Sequence, residues 1–452
     1  MRDERANFSS RLGIILATAG SAVGLGNVWR FPFMTGQNGG AVFIIVYVVC
    51  IMLLGIPGMV GEFIVGRHSQ TNAARAYANI THNRRWGFIG LLGIVTSSII
   101  LGFYAVVAGW CLQYLGAAAL GSLKGDTAFA ASYFEQFSTD PVKPAVMGVV
   151  FIAITHFVIV RGVQRGIERA SKLLMPLLFV LLLIIVVASC SLPGAMKGVE
   201  FLFYPDLSKL DSHIFLEALG QAFFSLSLGT ACLCTYASYF SRSTRLLHSA
   251  TQIAFVDCII AVLAGLMIFP AAFAVGVQPD SGPSLIFITL PSVFQQAFAS
   301  VPLAGQIISV MFYALLVFAA LTSTISMHEI GTAFFHEELR LSRGKAAWIV
   351  TSACSMLAIA CSLSLSGGER FRVMGMPLMN FCDFLTAQVM LPLGAMLTSV
   401  MLGWFVRARV LHDELTNWGT LHTLLFPPYL FIVRYVVPFC ILLILMHQFG
   451  VI

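Results

Sequence analysis

GSAVGLGNVWRFP, residues 20–32, follows directly on the apolar run of residues 12–19. That run enters as a membrane crossing would. Before the roughly 20 residues of a crossing are complete, the chain meets Gly20, Gly24, Gly26, Asn27, Arg30 and Pro32. Hydrocarbon offers no partner to a freed N–H or C=O. Irregular backbone at that depth therefore survives only where protein or a water-filled site takes up those groups. Glycines let a ligand reach main chain directly, and freed carbonyls are hard oxygen donors suited to a small cation. The competing reading is a face of small residues for close helix packing.

The composition suits such a site. Of 452 residues, 58% are hydrophobic and 10% charged, against about a quarter charged in soluble domains. The chain reads as a polytopic membrane protein in contact with the lipid bilayer. Its net charge of +6 does not point to nucleic acid, because the basic residues sit in short loops between apolar spans. The ten cysteines fall mostly inside spans (Cys50, Cys111, Cys232, Cys258, Cys440) and imply no disulfide framework. The N-terminus has no apolar region before the first long span and reads as a cytoplasmic tail, residues 1–11.

The expected fold class is all-α integral membrane, with eleven transmembrane helices near 12–36, 41–66, 88–119, 143–160, 173–190, 214–240, 249–276, 303–335, 346–366, 377–403 and 428–449. Alternate loops carry Arg67, Arg75, Arg84 and Arg85; Arg161, Arg165, Arg169 and Lys172; Arg242 and Arg245; Arg340, Arg343 and Lys345; and Arg407 and Arg409. The opposite loops hold Lys124, Lys143, Lys197, Lys209, Arg370 and Arg372. The positive-inside rule then places the N-terminus in the cytoplasm and, after eleven spans, the C-terminus on the extracellular or periplasmic side of the cell inner membrane.

The sixth span repeats the oddity of the first. Residues 216–239 are apolar but interrupted by Gln221, Ser225, Ser227, Gly229 and Thr230. Interrupted helices at matching positions of two halves point to a midplane site between inverted repeats. The halves are expected at 12–190 and 214–403, five helices each, with the eleventh helix at 428–449. No internal sequence repeat is visible, so this inference rests on position.

GSAVGLGNVWRFPF at 20–33, NGG at 38–40, IPGMVGEFIVGR at 56–67, RGVQRGIERASKLLMP at 161–176, GQAFFSLSLG at 220–229, TYASY at 235–239, FITLP at 287–291 and LTSTIS at 321–326 resemble the neurotransmitter:sodium symporter family, in its prokaryotic, leucine-transporter-like branch. The resemblance covers the first ten spans. It implies sodium-coupled symport of an amino acid by alternating access, with two sodium ions as the bound cofactors and no enzymatic activity.

Residue by residue, the resemblance implies a first sodium site from the Ala22 carbonyl, Asn27, Ser225 and Asp257, completed by the substrate carboxylate. The second takes the carbonyls of Gly20, Val23 and Ala319 and the hydroxyls of Thr322 and Ser323. Neutral oxygens of this kind suit a hard monovalent cation. Thr322 and Ser323 could instead bond back to the preceding helical turn. Tyr104 matches the family tyrosine that holds a carboxylate, helped by the backbone amides of Leu25 and Gly26. Gly24 stands where monoamine carriers have an Asp, so the ligand brings its own charge. The pocket would be lined by Ile100, Tyr104, Phe224, Ser227, Thr230, Ser323 and Met327, which favours a hydrophobic or aromatic amino acid.

Arg30 with Asp383 would close the outer path, and Arg5 with Glu337 the inner one, unless each is a static ion pair. Gly166 and Pro176 match the positions where the family unwinds the fifth span. Glu62 and Glu329 are expected to accept hydrogen bonds from the unwound segments, and His328 to be a satisfied packing residue. Asp257 falls on the family's sodium-binding Asn position by one count and one residue beyond it by another. It sits near Tyr47, Gln221 and Ser225, where animal members bind chloride, and its fixed charge implies chloride-independent transport. The alternatives are a proton-coupled permease, with Asp257 as the proton carrier, or an amino-acid sensor on the same scaffold.

Overall fold

The computed structural model describes residues 8–123, 125–276, 285–299, 302–366, 371–422 and 424–450. Arg5, Lys124 and Arg370 lie outside them. In chain order the principal helices are α1 (Arg11–Ala22), α2 (Gly26–Gln37), α3 (Ala41–Ser69), α4 (Arg84–Ala119), α5 (Lys143–Val160), α6 (Val163–Cys190), α7 (Ser212–Ser225), α8 (Cys232–Ala237), α9 (Leu246–Ala274), α10 (Pro302–Glu338), α11 (Arg343–Leu365), α12 (Leu378–Phe405) and α13 (Phe426–Gln448). Among the described residues nine helices, α3–α6 and α9–α13, are long and apolar enough to cross a membrane, and the pair α1 and α2, bent by 54°, makes up to ten. The sixth expected span is divided into α7 and the 6-residue α8, so neither part passes that test alone. At about 1.5 Å per residue, the 36 residues of α4 reach about 54 Å. Hydrocarbon about 30 Å thick is therefore crossed with tilt or with ends in the interface.

Local chemistry sets where the helices start and stop. Ser10 caps α1 by accepting the Gly13 N–H at 3.0 Å, and Asp211 caps α7 by accepting the Ile214 N–H at 2.8 Å. Each bond satisfies an N–H that the first turn leaves open. α1 ends because Val23 turns extended, with ψ 106°. After α7 the chain runs through Ser227, Gly229 and Ala231 with φ of 53°, 81° and 60°. This left-handed sequence cannot continue a right-handed helix. Gly229 has a second reason to be glycine, since a Cβ there would overlap the Leu391 carbonyl of α12.

α4 and α10 lie side by side, and α5 and α11 pack on them to complete a four-helix scaffold. α1 is enclosed by α6, α9 and α10, while α8 lies on α3. Both breaks are thus sealed from lipid by protein, as the hydrogen-bonding argument requires.

The loops expected on the cytoplasmic side share one face. Arg67 at the end of α3 donates from Nε to Glu414 Oε2 at 2.7 Å and from Nη1 to the Thr244 carbonyl at 2.5 Å. Arg75 pairs with Glu338 at 2.5 Å, and Arg343 Nε donates to the Ile159 carbonyl at 2.9 Å. At the other end His213, opening α7, and His447, closing α13, stand with ring centroids 5.5 Å apart.

Candidate sodium and substrate site

The two breaks meet. Asn27, one turn past the interruption of α1, is fully buried. Its Nδ2 donates to Asp257 Oδ1 of α9 at 2.8 Å, and Ser225 Oγ, at the end of α7, lies 3.2 Å away. Asp257 Oδ2 accepts from Ser225 Oγ at 2.8 Å and from the Tyr47 hydroxyl at 3.1 Å. One carboxylate therefore serves both groups between which the sequence left it undecided, with Oδ1 toward Asn27 and Oδ2 toward Tyr47 and Ser225. Ala22, the last residue of α1, is buried. Asn27 Oδ1 accepts the Gly24 N–H at 3.2 Å, so the amide already bridges the break and the carboxylate. Gln221, one turn before Ser225, is fully buried, and among the described residues neither of its side-chain polar atoms has a hydrogen-bond partner.

A second cluster faces the other side of the break. Thr322 Oγ1 and Ser323 Oγ of α10 lie 3.5 and 3.4 Å from the Val23 carbonyl, and Thr322 Oγ1 also donates to the Ala319 carbonyl at 3.0 Å. A Cβ on Gly20 would stand 3.3 Å from Thr322 Cβ. Gly20, Val23, Ala319, Thr322 and Ser323 are thus brought together. The back-bonding expected as the alternative is also present, with Thr322 Oγ1 3.2 Å from the Phe318 carbonyl. The same hydroxyls can turn their lone pairs to a cation between the carbonyls. Among the described residues no three His, Cys, Asp or Glu side chains are placed to hold a metal ion. The oxygens here are carbonyl, hydroxyl, amide and a single carboxylate, a donor set for hard monovalent ions.

Between the clusters lies the tyrosine. The Tyr104 hydroxyl accepts the Leu25 N–H at 3.1 Å. A Cβ on Gly24 would stand 2.5 Å from Ser323 Oγ and 3.1 Å from that hydroxyl, and one on Gly26 would stand 3.1 Å from the Phe224 ring. Only glycine leaves the space open. Ser227 Oγ donates to the Ser21 carbonyl at 3.3 Å, and Thr230 Oγ1 to the Ser227 carbonyl at 2.7 Å. Ile100 precedes Tyr104 by one turn of α4 and Met327 follows Ser323 by one turn of α10, both half-buried.

The Arg30 guanidinium lies 4.3 Å from the centroid of Phe224. It and Asp383 lie near enough to interact through their charges, but no nitrogen–oxygen pair of the two comes within 4.0 Å, so the expected outer pair is not closed by direct contact. On the inner side Glu337 accepts the Asn72 backbone N–H at 2.7 Å and its Nδ2 at 3.1 Å, and its expected partner Arg5 is outside the described residues. Glu62 accepts the Gly229 N–H at 2.7 Å, from the break in the sixth span. Glu329 does not reach either break: it accepts from the Tyr239 hydroxyl at 2.7 Å and pairs with Arg343. A nearby arginine neutralises it more completely than backbone amides could. His328 is held by Thr332 at 3.0 Å and Thr351 at 2.9 Å. Gly166 lies in a π-helical turn, Val163–Glu168, and Pro176 lies inside the α-helix Arg169–Cys190 that continues it. Sequence reasoning passed over Ser97, whose hydroxyl donates to the Thr230 carbonyl at 2.8 Å. Nothing in a serine within an apolar span signals that it will meet a broken helix 133 residues away.

The family model of the sodium:neurotransmitter symporters matches residues 5–128 and 139–451. The chain belongs to this family. Among sodium:neurotransmitter symporters, it is 37% identical over 445 residues to the uncharacterized sodium-dependent transporter YhdH of Bacillus subtilis, covering 98% of each chain. A sodium-dependent transporter of Haemophilus influenzae is 32% identical over 454 residues, covering 98% of this chain and 97% of that one. The crystal structure of MhsT in complex with L-phenylalanine superposes with a TM-score of 0.88 at 39% identity, covering 98% of this chain and 100% of that chain. These relatives are transporters, not enzymes, and the membrane location follows from the family and the apolar helices.

Proposed function

We propose that the protein is a sodium-coupled symporter of a hydrophobic or aromatic amino acid, working by alternating access without chloride. The observation that carries this reading is the meeting of two broken helices at Asn27, Ser225 and Asp257, with Val23, Thr322 and Ser323 on the opposite side of the same break. Two groups of oxygens fit two sodium ions. Tyr104 and the amides of Leu25 and Gly26 fit the substrate carboxylate, which also finds the positive end of α2. The space left by Gly24 and Gly26 and the half-buried Ile100, Phe224 and Met327 suit an apolar side chain. L-phenylalanine, the ligand in the MhsT crystal structure, is the substrate to try first.

Counting α1 with α2 and α7 with α8 as one crossing each brings the nine continuous helices to eleven, arranged as two five-helix repeats and α13. The five-span separation of the broken pairs in that count supports inverted halves at 12–190 and 214–403. The nearness of His213 and His447 supports a C-terminus on the outer side. Asp257 holds Tyr47 and Ser225 with its own charge, so the site needs no mobile anion.

Binding of radiolabelled L-phenylalanine to the purified protein, in sodium and in choline, tests the reading, with counterflow in proteoliposomes to separate a carrier from a sensor. Sodium-dependent binding and exchange of labelled for unlabelled substrate are expected. Equal binding in the two buffers would remove the sodium assignment, and binding without counterflow would make the protein a sensor.

A further inference from the structure

The entry of α1 and the opening of α6 meet at one carboxylate. Glu168 is the last residue of the π-helical turn Val163–Glu168, and its side chain is 2% exposed. Four donors converge on it: the Ser9 N–H at 2.8 Å, Ser9 Oγ at 2.6 Å, Ser10 Oγ at 3.1 Å and Lys172 Nζ at 2.7 Å. Lys172 belongs to α6 itself, one turn on. The other three donors come from the two residues that begin the first span. Ser10 does two things at once, because the hydroxyl that donates to Glu168 also caps α1. Gly13 is pressed so close that a Cβ there would overlap the Glu168 carboxylate.

From this point α1 and α6 run on together. Gly13 and Gly20 are seven residues apart on α1, and Glu168 and Met175 seven apart on α6, which places each pair on one helical face. At the far end a Cβ on Gly20 would stand 3.4 Å from Met175 Sδ and 3.3 Å from Thr322 Cβ. The contact stripe that begins at Glu168 thus ends at Gly20 and Thr322, two members of the second oxygen cluster. The π-helical turn between Gly162 and Glu168 has one extra residue per turn, a geometry that recurs at functional sites. Lys172 moves with α6. Parting Glu168 from Ser9 and Ser10 therefore breaks bonds to neutral donors while leaving the carboxylate paired, so no buried charge is stranded.

We propose that Glu168 is a positioning residue for transport: it fastens the first turn of α1 to α6, keeps the inner approach to the Gly20–Thr322 cluster shut, and must release Ser9 and Ser10 before that cluster opens to the cytoplasm. This rests on the transport reading above and names the residue that controls its inner side.

Cys232 and Cys234 of α8 are 2% and 0% exposed, on the inner half of the divided span, and their alkylation reports opening of the inner path. The full-length protein is treated with a water-soluble maleimide in sodium or choline, and each cysteine is read by mass spectrometry. Glu168→Gln is expected to raise Cys232 labelling in sodium about tenfold, the effect of losing one charge-assisted hydrogen bond, and to raise the sodium concentration for half-maximal L-phenylalanine binding. Glu168→Asp, which keeps the charge, should restore part of both. The double variant Ser9→Ala with Ser10→Ala, which leaves Glu168 paired with Lys172, should shift both readouts the same way and serves where Glu168→Gln does not fold. A purely structural residue would lower the melting temperature and leave the sodium dependence alone. Folded variants that label and bind as the unmutated protein does would overturn the proposal. Sodium-indifferent binding by the unmutated protein would instead count against the transport reading.

Discussion

Asn27 and Asp257, 230 positions apart, are joined by a 2.8 Å hydrogen bond between the break of the first span and the middle of α9. Both are fully buried. A carboxylate inside a span costs about 2.5–3.5 kcal/mol on insertion scales, and a cation beside it offsets that cost. The bond therefore marks where positive charge belongs when the site is filled.

Uptake driven by sodium should be unchanged when gluconate replaces chloride, since Asp257 supplies the fixed anion. Asp257→Asn should become chloride-stimulated, because the neutral amide leaves the Tyr47 and Ser225 hydroxyls without a charged acceptor. Uptake by the unmutated protein that collapses in gluconate would show that Asp257 is not that anion, and uptake that tracks external pH would make it a proton carrier.

Tyr104→Phe should weaken amino-acid binding by about 1.5–3 kcal/mol, the range for a hydrogen bond to a charged group, with normal expression. It also leaves the Leu25 N–H without its acceptor. A dissociation constant equal to that of the parent would place the tyrosine outside the site.

Gly24→Ala should abolish binding while the protein still folds. The added Cβ would stand 2.5 Å from Ser323 Oγ and 3.1 Å from the Tyr104 hydroxyl, filling the space between the break and both partners. Binding retained within a factor of two or so, the span of ordinary context effects on one interaction, would mean that the ligand does not use that space.

Glu62→Leu should lower stability by about 1–3 kcal/mol, the cost of a buried N–H left unpaired, because the Gly229 amide loses its acceptor in a segment that has no helical alternative. Glu62→Gln keeps an acceptor oxygen at the same place and should recover most of the loss. Melting curves in detergent compare the two, and equal melting temperatures for Leu and Gln would exclude the bond as a support of the break.

Two sodium ions carried with a zwitterion move two charges, worth about 4.6 kcal/mol at 100 mV. Proteoliposomes with an inside-negative potential should then accumulate substrate over about a thousandfold at equal sodium, and dissipating the potential should remove most of that gradient. Accumulation indifferent to the potential would require charge-neutral exchange.

The chain by itself determined the membrane class, the order of the helices and the two places where a helix had to break. Those are local consequences: hydrocarbon makes apolar length and backbone satisfaction decisive, and Gly, Asn and Ser inside a span violate both in plain view. The carboxylate Glu62 was readable as a support for the same reason, because a charge in a span must face protein. Tertiary structure decided the partners. Asp257 could be read to either side of one position, and only the packing of α9 against both breaks shows Oδ1 turned to Asn27 and Oδ2 to Tyr47 and Ser225. Glu329 looked like Glu62 in sequence, yet Arg343 stands 14 positions away across a turn and takes it. Glu168 sat unremarked in a basic loop until the fold laid Ser9 and Ser10 on it, 159 and 158 positions back. Residue type and spacing state what a group needs, but which group across the bundle supplies it depends on helix rotation and register, which are set by side-chain packing over the whole interface.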